Sequence, residues 1–246
     1  MSRFAVILPA AGQSSRMQGF SRKKPFLELK GRPVWVRTVE HFLKRDDVAE
    51  TVLVVAPDDL DWFKEQYVAN LAFMDVRLVA GGACRAESVR NGLESLTSDA
   101  THVAVHDAAR PLLTSAWIDS VFAAAVQYHA AIPGLRITST VKRIDADGVI
   151  AETVDRSSLV LAQTPQVFER QLLKRAFAAC GPLNAITDEA SMVEQLPHPV
   201  HVVEGWSPNI KLTTADDFRL AEKLLDLLPA GKGLGSLHPF EDDRFQ

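Results

Sequence analysis

Short apolar runs alternate with amphipathic stretches along the first half of the chain. Phe4–Leu8 is an unbroken run, Thr51–Ala56 is nearly so, and Val103–Val105 lies in a third. Runs of this kind suit strands covered on both faces, as in a parallel sheet. A further strand is read near Val76–Val79. Between the runs the period lengthens. Val34, Trp35, Thr38, Val39, Phe42 and Leu43 share one helical face, and Pro33 stands where a helix start tolerates proline. Ser88, Val89, Gly92, Leu93 and Leu96 form a second face, and Val121, Phe122, Ala125 and Val126 a third. This alternation predicts βαβ units with right-handed crossovers.

The pattern then changes. Thr138–Ile144 and Val149–Val154 are β-prone, and Asp145-Ala-Asp-Gly148 between them has turn chemistry, so a hairpin is expected. An isolated two-stranded hairpin is marginal in water. This arm, about residues 136–156, needs a surface to pack on, and a second subunit would supply one. Helices are expected over Glu169–Ala179, Thr187–Gln195 and Thr214–Leu228, with a strand at Val200–Val203. Thr214-x-x-Asp217 matches a helix-start capping pattern. Residues 229–246 are Gly-rich and polar and read as a poorly structured tail, which leaves 1–228 as one domain.

Of the 246 residues, 47% are hydrophobic and 24% charged, which excludes collagen-like, disordered and coiled-coil classes. The net charge is −4, so nothing chain-wide favours nucleic acid, and any anion site must be a local cluster. Cys84 and Cys180 form no CxxC pair and have no paired histidines nearby. Neither a zinc site nor a disulfide framework is expected, which fits a reducing cytoplasm. No apolar run is long enough to span a membrane, and no signal-peptide cleavage pattern is read at the N-terminus.

Three loops after strands carry the candidate chemistry. Pro9, Ala10, Ala11 and Gly12 follow the first run. Their small side chains let backbone N–H groups approach a phosphate or base, with Arg16 and Lys24 one loop away. The other reading is a plain strand-to-helix turn with solvated basic residues. Gly12 is the lone glycine there, so neither a Rossmann fingerprint nor a P-loop is present. Gly81 and Gly82 open a second junction, where Arg85 and Ser88 either donate to a ligand or serve only their own helix. The third loop is His106-Asp-Ala-Ala-Arg-Pro111. Asp107 there either holds Mg²⁺ together with substrate phosphates, or caps a turn or pairs with Arg110. His106 reads as structural. The segments Thr153–Arg156, Gln163–Gln166, Thr187–Glu189 and Asn209–Lys211 could also bind an anion or hydroxyl. Asp188 and Glu189 are accounted for by the helix dipole. No G-x-S-x-G elbow or H-E-x-x-H pair occurs. Cations, small-residue loops and one acid at strand ends are the parts that phosphoryl or nucleotidyl transfer needs.

In order along the chain, these motifs resemble the 2-C-methyl-D-erythritol 4-phosphate cytidylyltransferase family. The matching stretches are Pro9–Gly12 with Arg16-Met17, Lys24, Gly81-Gly82 with Arg85 and Ser88-Val89, and His106–Pro111. Thr140-Val-Lys142, Thr153–Arg156, Thr164–Gln166, Thr187–Ser191 and Asn209–Thr213 continue the series. The chain departs from the family pattern at Lys23-Lys24-Pro25-Phe26, where Lys23 is the alternative to Lys24, at Ala83, and at Ser139 before Thr140. The resemblance implies a Rossmann-like α/β nucleotidyltransferase fold with a mostly parallel mixed sheet flanked by helices. It also implies a homodimer formed through the hairpin arm. The implied reaction moves CMP from CTP to methylerythritol phosphate with Mg²⁺. The implied roles place CTP on Pro9–Gly12, Gly81, Gly82, Arg85 and Ser88. Arg16, Lys24 and Lys211 would act on the phosphates, and Asp107 would hold the metal and meet the second substrate. Arg110, Thr140, Arg156, Thr164 and Thr187 would bind the methylerythritol phosphate. A ribitol phosphate or other polyol phosphate is the alternative acceptor. A nicotinamide-dependent oxidoreductase and a catalytically inactive nucleotide-binding protein are the more distant alternatives. Lys24→Ala or Lys211→Ala is expected to lower turnover by orders of magnitude while circular dichroism stays unchanged. Near-normal turnover in either variant would remove that lysine from the reaction.

Overall fold

The computed structural model describes residues 3–12 and 26–228. The strand β1 (Phe4–Pro9) is followed by the short pair β2 (Glu28–Leu29) and β3 (Arg32–Pro33) and by helix α1 (Val34–Leu43). Next come β4 (Val48–Val55), α2 (Leu60–Gln66), α3 (Val68–Met74), β5 (Val76–Ala80), α4 (Arg85–Ser95) and β6 (His102–Val105). The chain continues through α5 (Ser115–Tyr128), β7 (Ala130–Arg136), β8 (Val141–Ile144), β9 (Ile150–Val154), β10 (Val160–Ala162) and β11 (Gln166–Glu169). It ends with α6 (Arg170–Ala179), α7 (Glu189–Val193), β12 (His201–Glu204) and α8 (Ala215–Leu227).

The sheet runs β10-β7-β11-β6-β1-β4-β5, with β12 beside β7. Strands β6, β1, β4 and β5 are parallel, and β11 is antiparallel to β6. The unbroken apolar run of β1 has a direct cause. Phe4, Val6 and Leu8 enter one core with α1 and α5, while Ala5 and Ile7 enter the other with α4 and α6. This is the mostly parallel mixed α/β sheet expected from the sequence.

One irregularity shapes the site. Ala162 of β10 lies opposite Gly134, and Val167 of β11 lies opposite Ala131. Five steps on one side thus match three on the other. Residues 163–165 leave the ladder opposite Pro133, which has no N–H to offer. The Pro133 carbonyl points to that side, accepting from the Gln163 N–H at 2.8 Å. In a strand the missing N–H would point the same way. The Thr164–Pro165 bond at this place is cis.

The hairpin forms over Val141–Ile144 and Ile150–Val154, shorter than expected because residues 138–140 lie beyond the Val141–Val154 pair and Val149 belongs to the turn. Asp145 closes the turn by accepting from the Asp147 and Val149 N–H groups at 3.0 and 2.9 Å, and Gly148 adopts φ +80. The expected helix from Thr187 begins only at Glu189, since the Asp188 side chain caps it from outside by accepting from the Ser191 N–H. The last helix carries the full capping box, Thr214 with Asp217. Residues Arg16, Lys24 and the tail 229–246 lie outside the described residues.

The β6 loop is ordered by His106, which is fully buried. Its Nε2 lies 3.0 Å from the Arg110 carbonyl, an acceptor only, so Nε2 carries the proton. Nδ1 then accepts from the Thr164 hydroxyl at 3.2 Å. Burial lowers the His106 pKa from 6.5 to about 3, against the opposing hydrogen bond to Arg110. Between those two values the unfolded chain takes up a proton that the folded chain refuses. Stability therefore falls as pH drops through that window. His106→Asn is expected to flatten the slope of urea-unfolding stability there, by up to about 1.4 kcal/mol per pH unit. An unchanged slope would show that His106 is not the group responsible.

Candidate active site

Three segments meet at the carboxyl edge of the parallel strands. The backbone leaving β1 is fixed from both sides. Ala10 N–H donates to the Val54 carbonyl at 2.8 Å, and Ala108 N–H reaches the Pro9 carbonyl at 3.4 Å. The loop after β5 closes against it, since a Cβ on Gly81 would stand 2.8 Å from the Ala11 Cβ. Only glycine fits there. Among the described residues, nothing lies within 4 Å of where a Cβ on Gly12 would stand. Ser88 is buried and its hydroxyl is engaged, accepting from Gly82 N–H at 3.1 Å and donating to the Cys84 carbonyl at 2.9 Å. In this state Ser88 shapes the glycine turn.

Asp107 stands at the centre. Its carboxylate meets Arg85 Nε at 3.3 Å, Lys211 Nζ at 2.8 Å and Arg110 Nε at 3.5 Å. Its backbone N–H donates to Thr164 Oγ1 at 3.1 Å. Burial works to raise its pKa, yet the charges of Arg85, Lys211 and Arg110 hold it well below the usual carboxylate range. Of the two readings made from sequence, the structure shows the pairing with Arg110, and Asp107 sits beside the small-residue loops. Burial pulls Arg110 down, with Asp107 opposing, and Arg110 donates to the Asn209 carbonyl at 2.8 Å. Asn209 in turn donates to the Thr164 carbonyl at 2.9 Å, and Leu212 N–H donates to the Ala109 carbonyl at 2.9 Å. Those bonds fix the loop that presents Lys211.

A residue read only as a dipole partner belongs to this cluster. Glu189 is fully buried and takes Arg85 Nη1 at 2.6 Å and Nη2 at 3.1 Å. Burial pushes its carboxyl up, with Arg85 pulling against it. Burial likewise works to lower Arg85, but Glu189 and Asp107 hold that guanidinium above its ordinary value. The signal was available in sequence. Glu189 shares a helical face with Met192 and Val193, both buried, and a carboxylate on an apolar face needs a partner. Gln166 sets the helix, accepting from Ala190 N–H at 2.9 Å and donating to Asp188 at 2.8 Å.

The structure therefore brings together Pro9, Ala10, Ala11, Gly81, Gly82, Ser88, Arg85, Asp107, Arg110, Thr164 and Lys211. Thr187 is exposed, two residues before Glu189. Thr140 and Arg156 stand exposed on the arm, where Arg156 donates to the Thr138 carbonyl, and neither bonds to the Asp107 cluster. Arg85, Arg110 and Lys211 against Asp107 and Glu189 leave one positive charge in excess. Such a cluster beside a bare glycine turn suits an anion with a flat attachment, as a nucleotide has. No group of three His, Cys, Asp or Glu among the described residues could cage a metal ion. No helix among them is long and apolar enough to cross a membrane.

Comparison with known proteins agrees with this geometry. The family model for 2-C-methyl-D-erythritol 4-phosphate cytidylyltransferase matches residues 4–227. The protein of that name from Symbiobacterium thermophilum is 44% identical over 225 residues, covering 90% of this chain and 92% of its own. Its counterpart from Rhodopirellula baltica is 40% identical over 233 residues, covering 90% of this chain and 94% of its own. The crystal structure of the Thermus thermophilus protein superposes with a TM-score of 0.73 at 30% identity, over 92% of this chain and 100% of that one. A match of this extent, on a chain whose small-residue loops and cations converge on Asp107, makes it a member of the 2-C-methyl-D-erythritol 4-phosphate cytidylyltransferase family.

Proposed function

We propose that this chain transfers CMP from CTP to 2-C-methyl-D-erythritol 4-phosphate and releases pyrophosphate, a step of non-mevalonate isoprenoid synthesis. The observation that carries the reading is the Asp107 cluster, with three cations on one ionised carboxylate beside two small-residue loops. The acceptor's phosphate monoester is already anionic at neutral pH. One of its oxygens forms a bond to the α-phosphorus of CTP, and the bond from that phosphorus to the bridging oxygen breaks in line. No proton has to move, so no strong general base is required. The barrier is the repulsion between two anions, together with charge gathering on the α-phosphoryl oxygens.

The residues then divide the work. Ala10, Ala11, Gly81 and Gly82 give the nucleotide close access to backbone. Lys211, with a side chain 42% exposed, can turn from Asp107 to the reacting phosphates. Arg16 and Lys24 are assigned to the triphosphate on the family resemblance. Thr164 Oγ1 uses its one proton on His106 and one lone pair on Asp107 N–H, which leaves a lone pair for a polyol hydroxyl. Asp107 accepts further hydroxyls wherever its cation cover leaves an edge. Asp107, an ionised carboxylate, is the protein group that would hold Mg²⁺ together with substrate phosphates. Mg²⁺, when bound, neutralises charge on the transferring phosphate. The enzyme is read as cytoplasmic.

A homodimer completes this reading. The hairpin exposes Ile144, Val149 and Ile150, and the neighbouring sheet edge exposes Val160, Leu161 and Val202. A second copy would cover that apolar strip and bring its Thr140 and Arg156 to the acceptor's phosphate.

Two experiments test these assignments. Pyrophosphate release with CTP and Mg²⁺ is expected to be fastest with methylerythritol phosphate among polyol phosphates. Faster release with ribitol 5-phosphate would reassign the acceptor. Ile150→Asp, at the exposed arm, is expected to give a monomer by light scattering, with turnover lost and CTP binding retained. A variant that stays dimeric and active would place the dimer contact elsewhere.

A further inference from the structure

Arg85 has five N–H groups and two carboxylates within reach. A guanidinium facing a single buried carboxylate normally docks its fork on both oxygens. Here Asp107 receives only Nε, at 3.3 Å on Oδ1. The two terminal nitrogens go to Glu189, at 2.6 and 3.1 Å. Glu189 is fully buried, so its claim on the fork is not diluted by water. It comes from α7, an element that otherwise takes no part in the Asp107 cluster, and Gln166 pins that helix through Ala190 N–H and Asp188.

We propose that Glu189 is a positioning residue, which holds the fork of Arg85 off Asp107 and so keeps an edge of that carboxylate open to the hydroxyls of the acceptor. The inference rests on the reading above that Asp107 meets the acceptor. Without the Glu189 carboxylate, the Arg85 fork has one anion left to satisfy it, and it turns onto Asp107. The acceptor then competes with a two-point guanidinium contact. The nucleotide loops Pro9–Gly12 and Gly81–Gly82 do not depend on that edge.

Steady-state kinetics of four proteins decide the matter, namely the unaltered chain, Glu189→Gln, Arg85→Gln and the double variant, each checked by thermal unfolding. For Glu189→Gln the KM for methylerythritol phosphate is expected to rise about tenfold, while the KM for CTP stays within about twofold. In the double variant the acceptor KM is expected to fall back to that of Arg85→Gln alone, because no fork remains to cover Asp107. The double variant has no buried unpaired charge. Arg85→Gln alone leaves Glu189 buried without its partner. Should that variant fail to fold, Glu189→Gln against the double variant carries the comparison, the acceptor KM being expected to fall when Arg85 is also replaced. Equal rises in both KM values, or a double variant worse than Arg85→Gln, would overturn the proposal and leave Glu189 a structural residue. An unaltered chain that releases no pyrophosphate with any polyol phosphate would overturn the functional reading and this proposal with it.

Discussion

Asp107 has to remain ionised in a nearly closed site, and much of the surrounding architecture answers that demand. Removing a carboxylate from water costs several kcal/mol unless charge and hydrogen bonds replace the lost hydration. Three cations supply the replacement, and they come from three distant parts of the chain. Arg85 opens α4, Arg110 closes the β6 loop, and Lys211 follows β12. Each then brings a requirement of its own. Arg85 recruits Glu189 and with it α7, and Arg110 recruits the Asn209 carbonyl and with it the loop that carries Lys211. One buried charge thus ties the parallel half of the sheet to its antiparallel half. A chain with a net charge of −4 can still hold phosphates, because local placement decides the field at the site.

Much of the scaffold was legible in the residue pattern. The apolar runs of β1, β4 and β6 are buried on both faces, and burial of that kind leaves an unambiguous trace. The Thr214–Asp217 capping box and the Asp145–Gly148 turn are local chemistry, so they too survive without tertiary information. Other elements went unread for identifiable reasons. Strand β7 contains Pro133 and Gly134, both poor strand formers. Gly134 is required because a Cβ there would come within 2.6 Å of Val202 and 2.8 Å of Val160 on the flanking strands. Strands β10 and β11 are two pieces of one interrupted line, each too short to show a period. Helices α2 and α3 are seven residues each, below the length at which amphipathic spacing stands out.

The site was legible as chemistry more than as geometry. The loops, Asp107 and the cations were named from residue type and order, and many of them converge. What sequence could not convey was connectivity. The Glu189–Arg85 pair joins residues 104 positions apart, and Asp188–Glu189 already had a sufficient local explanation in the helix dipole. Likewise His106 and Thr164, 58 positions apart, form one hydrogen-bonded unit that sets the β6 loop. Arg16 and Lys24 lie outside the described residues, so their place at the triphosphate rests on the family pattern alone.

Pro133 has a consequence for how such a protein can diversify. Because it lacks a donor, it can return no bond to the Gln163 carbonyl, whatever residue stands at 163. Those three positions carry no pairing duty in the sheet beyond the Gln163 N–H, yet they border Asp107 through Thr164. Substitution there can alter what the pocket accepts without asking the sheet to re-register. A missing hydrogen-bond donor in the middle of a strand thus releases three positions from the sheet's register and leaves them answerable to the pocket and to the loops they hold.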